Sequence, residues 1–280
     1  MQVILTRLKN LLMRKTPLQR LAAGCGSVPR PQKWVFIIGC YNSGTTLLAR
    51  LLERHSQVQS LPGEGVVFTD ALTRPEEFGW PRLWFKCRQQ MEVHGANTAE
   101  LAGRIKRQWR WAAIGKGPCF LEKSIANTAR LEFFNDHFQP AYFIHLTRNG
   151  YAVAEGIQRK ADPTRWRNPD YSERYPIDLC AQQWATTEEV ITAQRDRLDH
   201  YHALSYEDLT VSPEQEISRI LQFLELPDES HLVDEEVRVH GQRRPISNLN
   251  DLSLRNLAEA DIDAIERVAK DWLDRYDYRA

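Results

Sequence analysis

The chain has 280 residues, 42% of them hydrophobic and 26% charged, a mix that supports a folded core and excludes a low-complexity or disordered chain. Its 37 basic and 37 acidic residues cancel to a formal net charge of +0, so nothing global draws it to nucleic acid and any anion site must be local. Five scattered cysteines, Cys25, Cys40, Cys87, Cys119 and Cys180, show no C-x-x-C pair and no His at metal spacing, which points to reduced thiols and no metal site.

No stretch reaches about eighteen apolar residues, so no transmembrane helix is expected. Residues 1–21 fit an amphipathic helix with Ile4, Leu8, Leu11 and Leu12 on one side. Arg7, Lys9, Arg14 and Lys15 fall inside what would be the apolar region of a signal peptide, which argues against secretion and for a cytoplasmic protein. Two uses of the helix stay open: packing on the body or on a second subunit of a homodimer, or peripheral contact of residues 1–21 with an anionic membrane. Residues 24–32 have linker composition, so 1–29 read as a leading helix and linker and 30–280 as the main domain.

Residues 33–52, KWVFIIGCYNSGTTLLARLL, organise the rest. They read as a buried strand at 34–38, a loop carrying Gly39 and Gly44, and a helix opening at Thr45 that buries Leu47, Leu48, Leu51 and Leu52. Such a turn brings several backbone N–H groups and a positive helix end to one point, which suits phosphate. Gly39 to Thr46 has the spacing of the nucleoside-triphosphate loop, G-x4-G-K-[ST], but Thr45 stands where the lysine belongs. Without that lysine the loop binds phosphate yet is poorly equipped to stabilise a transferring γ-phosphate.

A short strand at 58–61 follows, and Pro62 and Gly63 turn the chain so that Glu64 lies past its carboxyl end. Residues 78–116 are helical in period and rich in Trp80, Trp84, Phe85, Trp109 and Trp111; they fit either a layer packed on the sheet or a helical cap insertion over the site. A strand at 118–124 delivers Lys123, a helix spans 126–138, and an apolar strand at 141–147 ends at Arg148. Then come a helix at 151–159, a Pro- and Arg-rich loop at 162–176, a long helix at 177–198, and a strand at 202–206 running into Glu207-Asp208-Leu209. Ser212 and Pro213 open another helix, residues 240–250 have loop chemistry with Arg243 and Arg244 in unassigned roles, and a last helix spans 261–276. The alternation predicts an α/β protein: a P-loop-like three-layer fold with a central parallel sheet and helices on both faces.

At the carboxyl edge this reading collects Asn42, Ser43, Gly44, Thr45, Thr46, Glu64, Lys123, Arg148 and the corner at 206–208. One anion cradle, two cations and a carboxylate suit transfer of an anionic group to a hydroxyl or amine. Glu64 would take the acceptor's proton, Lys123 would neutralise the moving group or leaving oxygen, and Arg148 would grip a second phosphate. Singly, Lys123 and Arg148 could instead pair with Glu122 or Glu155. A kinase needs a strand-end carboxylate for Mg²⁺; here the strand at 141–147 ends in arginine and only Glu122 competes for that role, which leans toward sulfuryl transfer without metal.

Four segments resemble the sulfotransferases that use 3′-phosphoadenosine 5′-phosphosulfate, closest to the bacterial branch similar to tyrosylprotein sulfotransferases. They are SGTTLL at 43–48, EKSIANTARL at 122–131, FIHLTRNGYAVAEG at 143–156 and SYEDL at 205–209. The resemblance implies that Ser43, Gly44, Thr45 and Thr46 bind the 5′-phosphosulfate, that Arg148 binds the 3′-phosphate, and that Tyr206 lies near the adenine. It also implies Glu64 as base and Lys123 as the catalytic lysine. Three positions depart from the pattern: Asn42 replaces an Arg or Lys, Gly156 replaces a serine and offers only its backbone N–H to the 3′-phosphate, and Ile125 replaces a proline. The acceptor, a small molecule, glycan, lipid or peptide, is left open. The alternatives are a nucleotide-binding protein that has lost catalysis and a divergent P-loop kinase.

Overall fold

The computed structural model describes residues 11–233, 236–239 and 242–280. Its centre is a five-stranded parallel sheet in the order β2-β3-β1-β4-β5, with β1 Lys33–Gly39, β2 Val58–Ser60, β3 Cys119–Glu122, β4 Ala141–Thr147 and β5 His200–Ser205. The central position of β1 follows from its sequence: an unbroken apolar run can be buried on both faces. Trp34, Phe36 and Ile38 enter one core, and Val35 and Ile37 the opposite one.

The first face is aromatic. Helices α3 (Thr98–Ala112) and α4 (Leu131–His137) cover it, with Trp109 stacked 6.1 Å from both Phe120 and Phe134. On the other face lie α2 (Thr45–Leu52) and α8 (Pro213–Phe223), which bury Leu48, Leu51, Leu52, Ile217, Ile220 and Leu221. Helices α5 (Gly150–Lys160), α6 (Ile177–Gln194) and α10 (Glu259–Arg275) share a further core with Trp84, Tyr175 and Trp184. Short helices α1 (Thr16–Gly24), α7 (Tyr206–Val211) and α9 (Asn250–Leu254) complete the set used below. The expected three-layer P-loop-like arrangement is therefore what the chain adopts.

Four local expectations need correction. The helical period at 78–116 is realised only in α3; before it stand short helical turns at Pro75–Phe78, Trp84–Cys87 and Arg88–Met91. Pro81 removes a donor there, and Gly79 and Arg82 take positive φ angles of 79° and 66°, which no helix continues through. The stretch at 126–138 splits into a 3-10 segment, Ile125–Arg130, and α4. Strand β6 (Glu236–Val239) pairs antiparallel with β7 (Gln242–Pro245), and β7 lies within the stretch where only loop chemistry was read. The leading helix does not run through residue 21: the chain turns at 13–15 and restarts as α1, with Pro17 in its first turn. Ile4 and Leu8 lie outside the described residues, Leu11 and Leu12 are exposed, and α1 instead ties itself to the body through Gln19, whose Nε2 donates to Val67 O at 2.9 Å.

All five cysteines are unpaired and four are buried. Burial pushes the Cys87 and Cys119 thiols up to about 12, so they behave as inert core residues. Among the described residues no helix is long and apolar enough to cross a membrane, and no cluster of metal-ligating side chains occurs.

Candidate active site

All five strands are parallel, so their carboxyl ends share one edge, and each end carries one predicted group. Along the sheet the order is Glu64 after β2, Lys123 after β3, the loop at 40–46 after β1, Arg148 after β4 and Tyr206 after β5. Neighbouring strands lie about 4.8 Å apart, so the whole row spans roughly 20 Å. The chain leaves β1 toward β2 on one side and reaches β4 on the other, which makes the end of β1 the topological switch point where α/β sheets bind ligands.

The loop's shape depends on two glycines. Gly39 has φ 138° and a Cβ there would meet Leu146 O at 2.4 Å; Gly44 has φ 90° and a Cβ would meet the Tyr206 ring at 2.5 Å. Both approaches bar any side chain, and both draw the loop down between β4 and α7. Gly44 then opens α2, directing its unpaired N–H groups and its positive end at the loop's interior. Ser43 is fully buried, and its Oγ has no partner among the described residues; neither has the buried Asn42 Nδ2. Two adjacent orphaned polar atoms on an N–H-rich loop fit an anion that supplies the missing acceptors.

Glu64 and Lys123 meet, with Nζ donating to Oε1 at 3.0 Å. The other carboxylate oxygen has no partner among the described residues. What holds Glu64 in place is its neighbour, Gly65, whose N–H donates to Glu122 Oε1 at 2.9 Å and whose carbonyl accepts from Trp109 Nε1 at 3.0 Å. Glu122 also accepts from Asn127 Nδ2 at 3.0 Å and from Ser124 Oγ. Burial raises its pKa, although these hydrogen bonds oppose the rise. Thus Glu122, the one competitor for a metal-binding role, is consumed in clamping the Glu64 turn to the strand that carries Lys123.

Arg148 is 8% exposed. Its Nε donates to Asn250 Oδ1 at 2.8 Å, its Nη1 donates to Asn42 O at 2.6 Å, and its guanidinium lies 4.3 Å from the Tyr206 ring centroid. Burial lowers its pKa, with Tyr206 and Glu207 working against that shift. It does not pair with Glu155, which is taken by Arg159 and Asn256. Glu207 reaches the site through α9: its Oε1 accepts from Asn250 Nδ2 at 2.6 Å and from Asn149 N at 3.0 Å. Tyr206 OH donates to Ser247 O and accepts from Leu249 N. A strap at 247–250 thus fixes both Arg148 and Tyr206.

Gly156 requires a correction. It stands in the interior of α5, past the first four residues, so its N–H belongs to the helical ladder and is not free for a ligand. What it provides is space: a Cβ there would lie 3.0 to 3.2 Å from the Asn42 side chain. Lys160, one turn onward on the same helix face, donates Nζ to Asn42 Oδ1 at 2.9 Å.

The stretch at 78–82 and the Pro- and Arg-rich loop at 162–176 touch each other and form one wall. Asn168 Nδ2 donates to Gly79 O at 2.6 Å, and the Trp80 ring stacks 6.2 Å from Tyr175. Arg82 lies over the Tyr41 ring at 5.8 Å, next to the loop. Helix α3 and Trp109, by contrast, belong to the sheet's core and not to this wall. Sequence reading missed Lys160, Asn250 and the clamping role of Glu122. Lys160 had a usable signal, its four-residue spacing from Gly156; Asn250 had none.

The model of the sulfotransferase family matches residues 35–230. Protein-tyrosine sulfotransferase A of Caenorhabditis elegans is 22% identical over 245 residues, covering 84% of this chain and 61% of that protein. Nodulation protein NoeE of Sinorhizobium fredii is 27% identical over 216 residues, covering 66% of this chain and 48% of that protein. The chain therefore spans only about half to three fifths of these relatives' lengths. Among solved structures, the sulfotransferase domain from the curacin biosynthetic pathway superposes with a TM-score of 0.53 at 21% identity, over 91% of this chain and 99% of that one. That likeness concerns the fold.

Proposed function

The chain belongs to the sulfotransferase family, and from that premise we propose that it moves a sulfuryl group from 3′-phosphoadenosine 5′-phosphosulfate to a hydroxyl or amine, by metal-independent in-line transfer with Glu64 as base. The observation that carries the reading is the order of groups along the sheet edge. The base and Lys123 stand on one side of the anion loop, and the second anion-binding cation and an aromatic ring stand on the other. A donor with a phosphosulfate at one end and a phosphorylated nucleoside at the other matches that order.

In this reading residues 42–46 and the start of α2 hold the phosphosulfate, Arg148 takes the 3′-phosphate, and Tyr206 lies beside the nucleoside. The acceptor enters between Glu64 and the wall formed by residues 78–82 and 168–175. Its proton passes to the unpartnered oxygen of Glu64 as its oxygen or nitrogen bonds to sulfur. The bond from sulfur to the bridging oxygen breaks, and that electron pair leaves on the 5′-phosphate, where loop N–H groups and Lys123 Nζ offset the charge. Lys123 already sits on Oε1, so it can serve the moving group while Oε2 serves the acceptor.

Calorimetric titration with 3′-phosphoadenosine 5′-phosphate in EDTA, with adenosine diphosphate as control, tests the donor. Binding of the first alone is expected. Binding of adenosine diphosphate alone, and only with Mg²⁺, would favour a kinase instead.

A further inference from the structure

Asn42 is the most heavily constrained residue of the anion loop. Its φ of 63° lies in the left-handed region, where Asn is tolerated far better than Lys or Arg. Its carbonyl is taken by Arg148 and its Oδ1 by Lys160. The amide is thereby fixed in one orientation: with oxygen committed to an ammonium, nitrogen must face the other way, and Nδ2 is buried without a partner among the described residues. Gly156 makes this possible, because any side chain there would press on Asn42 Cβ, Cγ and Nδ2.

Lys160 itself has no carboxylate within ion-pair distance among the described residues. Glu155, on the same helix, is bound by Arg159 at 2.6 Å and by Asn256 at 3.0 Å, and Asp162, two residues on, accepts from Arg165 N at 3.0 Å. Around Lys160 gather Arg82, Arg159 and Arg148, three further cations. Lys160 is exposed, yet desolvation by the protein around its side chain, together with those cations, draws its pKa down to about 8, with Glu155 acting in the opposite direction. With Glu155 already engaged by Arg159, this grouping of cations favours an anion facing it.

We propose that Lys160 and Asn42 act as one unit, the cationic arm of the loop: Lys160 holds the charge, and Asn42 delivers it to the loop-bound anion through Nδ2. The inference rests on the donor reading above and sharpens it. Asn42 would touch the 5′ anion, and Lys160 is a positioning residue that acts through it. The lysine absent from position 45 and the charge absent from position 42 would thus both be supplied from α5.

The test is titration of the full chain with 3′-phosphoadenosine 5′-phosphate and with adenosine 3′-monophosphate, which lacks the 5′ anion. Variants are Lys160→Ala, Lys160→Arg, Asn42→Ala and the Lys160→Ala/Asn42→Ala pair. Lys160→Ala is expected to weaken the bisphosphate about tenfold, the scale of one charge-assisted hydrogen bond, and to leave the 3′-monophosphate unchanged. Lys160→Arg should restore most of the loss, and the double variant should lose no more than the weaker single one. Between about pH 7.5 and pH 9.5 wild-type affinity should fall as Lys160 deprotonates, and the Lys160→Ala profile should be flatter. Equal loss for both nucleotides would move Lys160 to the other phosphate and overturn the inference, as would an unchanged Kd with an unchanged pH profile. Failure of the wild type to bind the bisphosphate would overturn the donor reading, and the inference with it.

Discussion

The two glycines that flank Glu64 should answer the same substitution in opposite ways. An ideal Cβ on Gly65 comes 2.6 Å from Glu122 Oε1, 2.8 Å from Trp109 Cζ2 and 2.9 Å from Glu122 Cγ. Neither neighbour can retreat: Glu122 is 1% exposed and holds several donors, and Trp109 is fully buried between two phenylalanine rings. Overpacking of this kind costs about 1–3 kcal/mol. If the turn instead moves away, the Gly65 N–H bond to a buried carboxylate is lost, at a similar cost of about 1–3 kcal/mol. A Cβ on Gly63 meets nothing nearer than Phe68 at 3.8 Å and Arg14 at 3.9 Å. Gly63→Ala should be neutral or gain about 0.4–1 kcal/mol from the unfolded state. Urea denaturation should therefore place Gly65→Ala below Gly63→Ala by roughly 1–4 kcal/mol, or about 0.3–1.3 M in midpoint at an m-value near 3 kcal/mol/M. Indistinguishable midpoints would refute the clamp. Donor affinity should survive in both, because the loop and Arg148 lie across the sheet from this turn.

Glu64→Gln and Lys123→Ala should each remove most turnover, a loss on the order of 10²-fold or more, while Glu64→Gln leaves the Kd for 3′-phosphoadenosine 5′-phosphate within a small factor; normal rates in both would sink the assignment. Arg148→Ala should do the reverse and weaken that Kd by an order of magnitude or more, since a buried bidentate cation is removed; isothermal titration reads it directly. Asp70 is drawn below the ordinary carboxylate range: burial acts against the shift, but Arg104 and Gln108 hydrogen bonds outweigh it. Its contribution is thus present above the usual carboxylate pKa and lost as pH falls through the lowered value, so urea midpoints should drop on acidification less steeply in Asp70→Asn than in wild type. Glu122 runs the other way, its raised pKa removing stability as pH rises past the usual carboxylate value. Glu122→Gln should flatten that limb of the stability profile.

Much of the edge was legible because its signals are local. Strand β1 is one apolar run, the loop has glycines at fixed spacing, and Lys123 and Arg148 directly follow short apolar strands; none of this needs tertiary information. The row Glu64, Lys123, loop, Arg148, Tyr206 depends on strand order, which sequence supplied only as a parallel sheet. Residues that act by contact across the fold were hidden. Asn250 reaches Arg148 over 102 positions and Trp109 reaches Gly65 over 44, and neither carries a periodic mark. Trp109 and Trp111 look alike in sequence, yet the first is core and the second is 47% exposed, because α3 turns only one face inward. The stretch at 78–97 misled for the same reason in reverse: aromatic content imitated a helical layer where proline and positive φ angles impose turns.

The division of the sheet edge has an evolutionary reading. Groups assigned to the nucleotide come from the ends of β1, β4 and β5, Lys123 at the end of β3 is assigned to the moving group, and groups assigned to the acceptor come from the end of β2 and the wall at 78–82 and 168–175. These are separate chain segments, joined by rigid strands, so insertions after β2 or at 162–176 can reshape the proposed acceptor side without disturbing the proposed nucleotide side. Grafting those two segments from another member of the family onto this scaffold should transplant acceptor preference and leave nucleotide affinity where it was.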